Sequence, residues 1–433
     1  MIDKKMEWFV DSRFGMFIHW GLYAIPARGE WVRSQEQITV EDYQKYFDAF
    51  DPVDYNPSEW ARLAKDAGMK YAVLTAKHHD GFCLYDSKYT DYKATNTKAG
   101  RDLVREYIEA FRAEGLKVGL YYSIIDWHHP DYPHYGDFFH PMRNNEAFKD
   151  TKHDFGNYLE YMHGQVEELC TNYGKIDLLW FDFSYGDLHG EAWKATELVR
   201  MIRRHQPEVI IDNRLDNPDD KSLLSGEPNE YSGDFVSPEQ LLPPKGVFDK
   251  NGNSVPWELC ATINGNWGHH ETDRFYKPSS MLIRKLVECV SKGGNMLLNV
   301  GPDAKGNIPA QSVKILRGIA EWMKLNGESV YGCGNVDMEK PDYGRVTGKD
   351  GVLYFHVMEN TIGALPLLGL SKDRIKSMSY LYSGAEINYR HDFSTEGYKN
   401  IVFADLGLDP ILPDTTDTVI KIELADVKRG VEP

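Results

Sequence analysis

Cysteine is scarce in this chain: five in 433 residues (Cys83, Cys170, Cys260, Cys289 and Cys333), odd in number and widely scattered. No Cys-x-x-Cys pair exists, so neither a disulfide framework nor a zinc ribbon is indicated. Small buried hydrophobes are their expected role. Long apolar runs are also missing: none approaches the length of about 18 residues that a membrane span needs. The opening Met-Ile-Asp-Lys-Lys-Met-Glu-Trp-Phe lacks the apolar stretch of a signal peptide. A soluble, cytoplasmic protein without a membrane partner is the expectation, or a secreted one if a leader has been trimmed away. Positive charge is short too, with 49 Lys and Arg against 66 Asp and Glu and a formal net charge of −17. Nucleic acids and anionic membranes call for clustered Lys and Arg, so neither is an expected partner. No Gly-x-Gly-x-x-Gly or Walker loop follows any strand-like run, so the phosphate cradle of a nucleotide cofactor is absent from the sequence.

Apolar and aromatic residues, by contrast, are plentiful, at 42% and 13%, with 10 Trp and 26 Tyr. They fill a large core or stack on the apolar faces of sugar rings. The organising stretch is Lys175–Asp182, Lys-Ile-Asp-Leu-Leu-Trp-Phe-Asp, which follows a Gly174 break and ends in a carboxylate. A continuous apolar run bounded by turn signals reads as a strand buried on both faces. Asp182 then lies at the strand's carboxyl end, where parallel α/β folds place their chemistry. Trp180 and Asp182 alternate with Phe181, which sends the first two to one face and Phe181 to the other.

The same unit recurs. Strands are expected over 13–21, 71–77, 117–123, 175–182, 209–213, 257–263 and from Asn295 to Pro302. Helices are expected over 57–68 (with Ser58 as N-cap), 102–114, 154–173, 191–205, 279–291 and 309–325. The stretch from Asp216 to Val255 is dominated by Pro, Gly, Asp and Ser and reads as loops and short strands. Strand–helix alternation over roughly 330 residues implies parallel strands with crossover helices. Polar residues at the ends of many strands favour a (β/α)8-like barrel, regular or irregular, over a doubly wound sheet. After Asn326-Gly327, short β-rich runs (352–357, 375–382, 401–404, 418–423) suggest an antiparallel β-sandwich. The division is placed at residues 1–334 for a catalytic barrel and 335–433 for the sandwich, whose expected role is support.

The strand ends collect His19, Glu30, His78, His79, Tyr121, Trp180, Asp182, Arg214, Glu239, Glu258 and Trp267. A metal at His78-His79-Asp80 is the weaker reading. Adjacent strand residues point to opposite faces, and no His-x-His or His-Glu-x-x-His spacing accompanies them. Glycoside hydrolysis fits better: it needs two carboxylates, aromatics to stack the sugar, and His, Arg and Tyr to hold hydroxyls.

Seven motifs, in order, carry a resemblance: Arg13-Phe-Gly-Met-Phe-Ile-His19-Trp-Gly, Gly-Glu30-Trp31, Lys77-His78-His79-Asp80-Gly-Phe82, Leu120-Tyr121-Tyr122-Ser123, Leu179-Trp180-Phe181-Asp182, Asp234-Phe-Val-Ser-Pro-Glu239 and Asn295-Met-Leu-Leu-Asn-Val-Gly-Pro302. Together they resemble the glycoside hydrolase family 29 α-L-fucosidases. The resemblance implies a retaining exo-hydrolase of terminal α-L-fucosyl linkages with no cofactor and no metal, acting on fucosylated oligosaccharides or glycoconjugates. It implies Asp182 as nucleophile. His19, His78, His79, Tyr121, Trp180 and Arg214 match positions that hold fucose hydroxyls. Glu30 and Trp31 match a loop pair at the sugar, and Trp267 an aromatic of the pocket wall. Arg214 and hydroxyl donors are expected to keep Asp182 ionised, and neutral histidines to donate to the sugar. For the acid/base, Glu239 leads, with Glu258 and Glu227 as alternatives; otherwise Glu258 orients another site residue. A catalytically silent fucose-binding protein, or a glycosidase acting on α-L-galactosides, stays open. Linkage preference and oligomeric state are not legible.

Overall fold

The structure is a computed structural model that describes residues 3–216, 221–391, 400–407 and 412–425. Parts of the expected loop region (217–220) and of the expected C-terminal unit (392–399, 408–411, 426–433) therefore lie outside the described residues.

Seven parallel strands make one sheet: β1 (Phe14–Ile18), β2 (Tyr71–Lys77), β3 (Lys117–Ser123), β4 (Leu178–Asp182), β5 (Ile210–Ile211), β6 (Glu258–Thr262) and β7 (Asn295–Val300). Their order is β5-β4-β3-β2-β1-β7-β6, so sequence neighbours lie side by side except β5 and β6, and β1 pairs with β7. That half-barrel is consistent with a (β/α)8-like barrel. The two outer strands are linked by a further run. Asp212, just past β5, bridges Phe235 in parallel, and Val236 and Glu239 bridge Trp257 and Cys260. The amide of Asp234 donates to Ile211 at 2.7 Å and that of Glu258 donates to Val236 at 2.9 Å.

Alternation decides which side each strand residue takes. One apolar cluster inside the sheet draws on Phe17, Tyr71, Val73, Tyr121, Leu178, Trp180, Ile210, Phe235, Cys260 and Leu297, so every strand and the 235–239 run contribute. Met6 and Phe9 belong to the same cluster, and the Phe9 ring lies 4.7 Å from that of Phe235. Residues of the opposite parity, Met16, Leu74, Leu120, Leu179 and Phe181 among them, join the larger cluster that packs against the helices. The expected opposition of Trp180 and Phe181 is thus realised.

Helices fall where the periodicity puts them, with instructive shifts. Asp102 caps Leu103–Ala113, its carboxylate accepting from the Arg105 amide at 2.9 Å; such a cap contributes about 1 kcal/mol. Ser58 is not the cap of its helix. Pro57 occupies the first turn, where its missing N–H costs nothing, and Asn56 accepts from the Glu59 amide instead. The expected helix 191–205 divides into a 3-10 turn, Gly190–Trp193, and a helix, Ala195–His205, because Lys194 adopts a left-handed φ of 48°. The expected strand 209–213 shortens to β5.

The C-terminal region holds two antiparallel sheets. One contains β8 (Gly344–Lys349), β9 (Val352–Val357), β11 (Ile375–Tyr380) and β14 (Thr418–Leu424); the other contains β10 (Leu365–Leu368), β12 (Tyr389–Arg390) and β13 (Ile401–Ala404). A single apolar cluster includes Phe355 and Ile420 from the first sheet and Leu365 and Val402 from the second. The helix Ser279–Ser291 lies against this region, where the Arg284 guanidinium donates to the Thr415, Thr416 and Met358 carbonyls.

Candidate active site

The carboxyl ends of the parallel strands surround a cavity of about 100 Å³ lined by Phe17, His19, Glu30, Trp31, His78, His79, Tyr121, Trp180, Asp182, Phe183, Arg214, Glu239, Cys260 and Trp267. All the expected site residues except Glu258 and the alternative acid/base Glu227 meet here.

Asp182 ends β4. One carboxylate oxygen accepts from the Tyr121 hydroxyl at 2.8 Å; the other accepts from Arg214 Nη1 at 2.8 Å. Burial pushes its pKa above the ordinary 3.8, reinforced by Glu239 and opposed by Arg214 and the Tyr121 hydroxyl. Arg214 and the Tyr121 hydroxyl act in the expected direction, favouring the ionised form, against a desolvation that is the largest influence. The same Nη1 also lies 2.9 Å from Glu239 Oε2. One nitrogen thus bridges two carboxylates. Arg214 is held for this by Ser237, whose hydroxyl and carbonyl accept from Nε and Nη2, and its guanidinium lies 4.4 Å from the Trp180 ring centre. Glu239 is the more open of the pair, with 42% of its side chain exposed against 14% for Asp182.

The histidines are fixed by partners whose own donors are already committed. Asn299 gives its amide N–H to the Trp267 carbonyl, so its Oδ1, 2.7 Å from His19 Nδ1, accepts from that nitrogen. Ser123 donates its hydroxyl to the Ile125 carbonyl, so its oxygen accepts from His79 Nδ1 at 2.7 Å. In each ring the proton is on Nδ1 and the Nε2 lone pair is left as an acceptor. Burial lowers the His19 pKa to about 3 and those of His78 and His79 well below 6.5, so all three are neutral at neutral pH. The sequence-based expectation of donors is reversed for His19 and His79. His78 buries Nδ1 with no protein partner.

His78 and His79 both face the cavity, with ring centres 4.0 Å apart. The strand argument for opposite faces fails because β2 ends at Lys77 and its pairing with β3 slips between Thr75 and Lys77. Glu30 reaches in from the loop after β1. It is buried, accepts from the Gly268 amide at 2.8 Å, and has its pKa raised by burial. Trp31 and Trp267 also line the cavity, their rings 5.1 Å from His79 and 5.0 Å from His19 respectively.

Glu258 is not brought to the cavity. It lies beneath, fully buried, accepting from Trp180 Nε1 at 3.3 Å and from the Tyr71 hydroxyl. Burial raises its pKa to about 8, so at neutral pH it is a neutral acid that orients Trp180. Glu227 pairs with Lys250 at the surface, far more exposed than any cavity carboxylate. Three lining residues escaped the sequence reading. Phe17 and Cys260 stand two positions from His19 and Glu258, so strand alternation could have found them. Phe183 takes a left-handed φ of 90° directly after Asp182, which no local signal announces.

A pair of carboxylates beside neutral histidines and aromatic rings at the strand ends is the inventory of a glycoside hydrolase. The family model described as Alpha-L-fucosidase matches residues 2–328, and the chain belongs to the α-L-fucosidase family. It is 30% identical to the Dictyostelium discoideum α-L-fucosidase over 75% of this chain and 71% of that one. Its structure is similar to that of α-L-fucosidase isoenzyme 1 from Paenibacillus thiaminolyticus, with 59% identity, a TM-score of 0.94, and coverage of 98% of this chain and 99% of that one. It is also similar to a family 29 α-L-fucosidase from Bacteroides thetaiotaomicron, trapped as a covalent intermediate with 2-fluoro-fucosyl fluoride. There the identity is 30% and the TM-score 0.84, over 98% of this chain and 97% of that one.

Proposed function

We propose that the chain is a retaining exo-α-L-fucosidase that releases terminal α-L-fucose from oligosaccharides or glycoconjugates. The carrying observation is the bridge through Arg214 Nη1, 2.8 Å from Asp182 and 2.9 Å from Glu239. Two oxygens sharing one nitrogen at those distances lie within about 6 Å of each other. That suits the carboxyl spacing of about 5–5.5 Å in retaining glycosidases better than the wider spacing of inverting ones. Asp182, deep and held by Tyr121, attacks C1 and forms the ester. Glu239, open to solvent, gives its proton to the leaving oxygen and then takes one from the water that cleaves the ester. The cavity's small volume supports removal of a single terminal residue. Acceptor lone pairs on His19 and His79 suit sugar hydroxyls as donors, and the Trp31, Phe17 and Trp267 walls suit the C5 methyl group.

The supporting architecture is read as an eightfold barrel closed by the 235–239 run, over residues 1–334, with a β-sandwich from 335 to 433. The two sheets sharing one apolar cluster support the latter. Asp182→Ala tests the assignment: hydrolysis of an aryl α-L-fucoside should fall about 10⁴-fold, with the melting temperature held and azide restoring turnover as a fucosyl azide. Activity surviving the substitution would remove Asp182 as nucleophile. Binding of fucose by the unaltered protein without any turnover would remove the enzyme reading.

A further inference from the structure

β5 leaves the sheet after only Ile210 and Ile211, and the residues at which it leaves are Asp212, Asn213 and Arg214. Its ladder with β4 runs through the Ile210 amide to the Asp177 carbonyl and the Asp212 amide to the Leu179 carbonyl, at 3.1 and 3.3 Å. Evenly spaced parallel bonding would send the next amide, that of Phe181, to the backbone carbonyl of Asp212. It goes instead to the Asp212 side chain, 3.0 Å from Oδ1. A carboxyl group thus stands in for one rung of the sheet, and the main chain beyond it is free to turn. Asp212 has no measurable exposure, and its Oδ2 has no partner among the described residues. A buried strand end ordinarily holds an apolar, β-branched residue, and a buried carboxyl that is only half satisfied is destabilising. The side-chain rung is what the acid adds in return.

The residue that turns there is Arg214. The Asp216 amide donates to the Asn213 carbonyl at 3.2 Å and closes a tight turn around it. The far side of this turn is fastened as well. Asn213 Oδ1 accepts from the Ser237 amide at 3.1 Å and from the Ser237 hydroxyl at 3.4 Å, on the run that carries Glu239. The same hydroxyl accepts from Arg214 Nε at 3.0 Å. Three consecutive residues therefore reach in three directions. Asp212 holds the strand of Asp182, Asn213 holds the run of Glu239, and Arg214 reaches both carboxylates, at 2.8 and 2.9 Å.

We infer that Asp212 and Asn213 are positioning residues, which together fix the turn that carries Arg214 and so set the separation of Asp182 and Glu239. The inference rests on the retaining-fucosidase reading. It is tested with the full chain on an aryl α-L-fucoside. Asp212→Ala removes the side-chain rung, and kcat/KM should fall about 10²-fold, the scale of a small misplacement of reacting groups. Asp212→Asn keeps an oxygen for the Phe181 amide and should recover most of that loss. The pH profile separates positioning from packing. Tyr121, His79, Arg214 and Glu239 face Asp182, and Arg214 is the cation among them that favours its ionised form. Loosening Arg214 raises the pH at which Asp182 ionises, so the acid limb of kcat/KM should move upward by about one unit in Asp212→Ala. It should stay in place in Asp212→Asn. An unmoved limb in Asp212→Ala, or an Asn variant equally impaired, overturns the inference. If Asp212→Ala does not fold, Asn213→Ala decides, with an expected loss of about tenfold and the same upward movement of the limb; an unmoved limb there overturns it too. Crystal structures read the bridge without any substrate. Arg214 Nη1 should leave hydrogen-bonding distance of at least one carboxylate in whichever alanine variant folds, and a bridge kept intact overturns the inference whatever the protein hydrolyses. Inactivity of the unaltered protein on the fucoside is the failure of the fucosidase reading alone.

Discussion

The barrel mouth and the C-terminal sheets both bury histidine, and they do so in opposite ways. In the mouth, His19 and His79 each satisfy one ring nitrogen on a neutral partner and aim the other at a cavity. In the C-terminal region, His356 on β9 spends both nitrogens on the protein. Nδ1 lies 2.7 Å from Asp417 and Nε2 3.1 Å from the Thr347 hydroxyl. Neither His356 nor Asp417 has measurable exposure. A buried polar group is tolerated only when its hydrogen bonds are met. Where the fold leaves one unmet beside open space, the missing partner is a ligand; where it meets all of them, the residue holds two elements together. Burial alone therefore does not separate a functional histidine from a structural one. Satisfaction does.

Substitutions sharpen that contrast by separating activity from stability. The largest effect belongs to the mouth. Beside Asp182→Ala, Glu239→Ala should lower turnover of a disaccharide about 10³-fold, while an aryl fucoside with an activated leaving group, which needs little protonation, should lose far less. Comparing the two leaving groups checks the acid role; equal losses would assign it elsewhere. The melting temperature should barely move, because Glu239 is 42% exposed in its side chain. In the C-terminal region the result should invert. His356→Leu leaves Asp417 buried without its partner, a change that costs about 3–5 kcal/mol. Urea unfolding should register that loss while kcat at low temperature stays put. A matching loss of kcat would show that the C-terminal sheets do more than support.

Much of this contrast was legible in the residues. The strand-end carboxylate of β4, the paired histidines after β2 and the Gly-Glu30-Trp31 loop carry chemistry on residue types that a buried strand end has no structural reason to hold. The alternation of strand and helix fixed the parallel order, since each crossover brings sequence neighbours side by side. The 235–239 run was not legible as a strand. Its Asp-Phe-Val-Ser-Pro-Glu composition is unremarkable locally, and it becomes extended because β5 and β6 offer edges on both sides, a tertiary preference overriding propensity. The common face of His78 and His79 was hidden for a related reason, a slip in pairing that only the neighbouring strand reveals. Tautomers needed the partners of the partners. The Ser58 cap failed against Asn56 because a proline at the first helical position moves the start of the helix by two residues.

Glu258 lies between the two regions of the comparison in kind: buried and satisfied like His356, yet one residue away from the cavity through Trp180, on whose ring the bridging Arg214 rests. Its neighbours are the Tyr71 hydroxyl, the Trp180 indole and Asn295 on the paired strand, with Arg13 beyond Tyr71 and Asp212 also within electrostatic reach. Its pKa stands at about 8 against an ordinary 4.5, because burial disfavours the anion. Below pH 4.5 the folded and unfolded chains both hold the proton and the group costs nothing. Between 4.5 and 8 the unfolded chain releases it and the folded chain does not, so stability falls as pH rises, by about 2 kcal/mol at pH 6, and levels above 8. Glu258→Gln keeps an acceptor for Trp180 Nε1 and removes the titration. The variant should hold kcat within about threefold at pH 7 and lack the loss of stability that the unaltered chain shows between pH 5 and 8. Glu258→Leu, which leaves the indole N–H without an acceptor, should lower kcat about tenfold. Denaturation series at three pH values and one rate profile decide the matter. A Gln variant as inactive as Asp182→Ala would make Glu258 a proton donor in the reaction, and a Leu variant with unaltered kcat would reduce it to core.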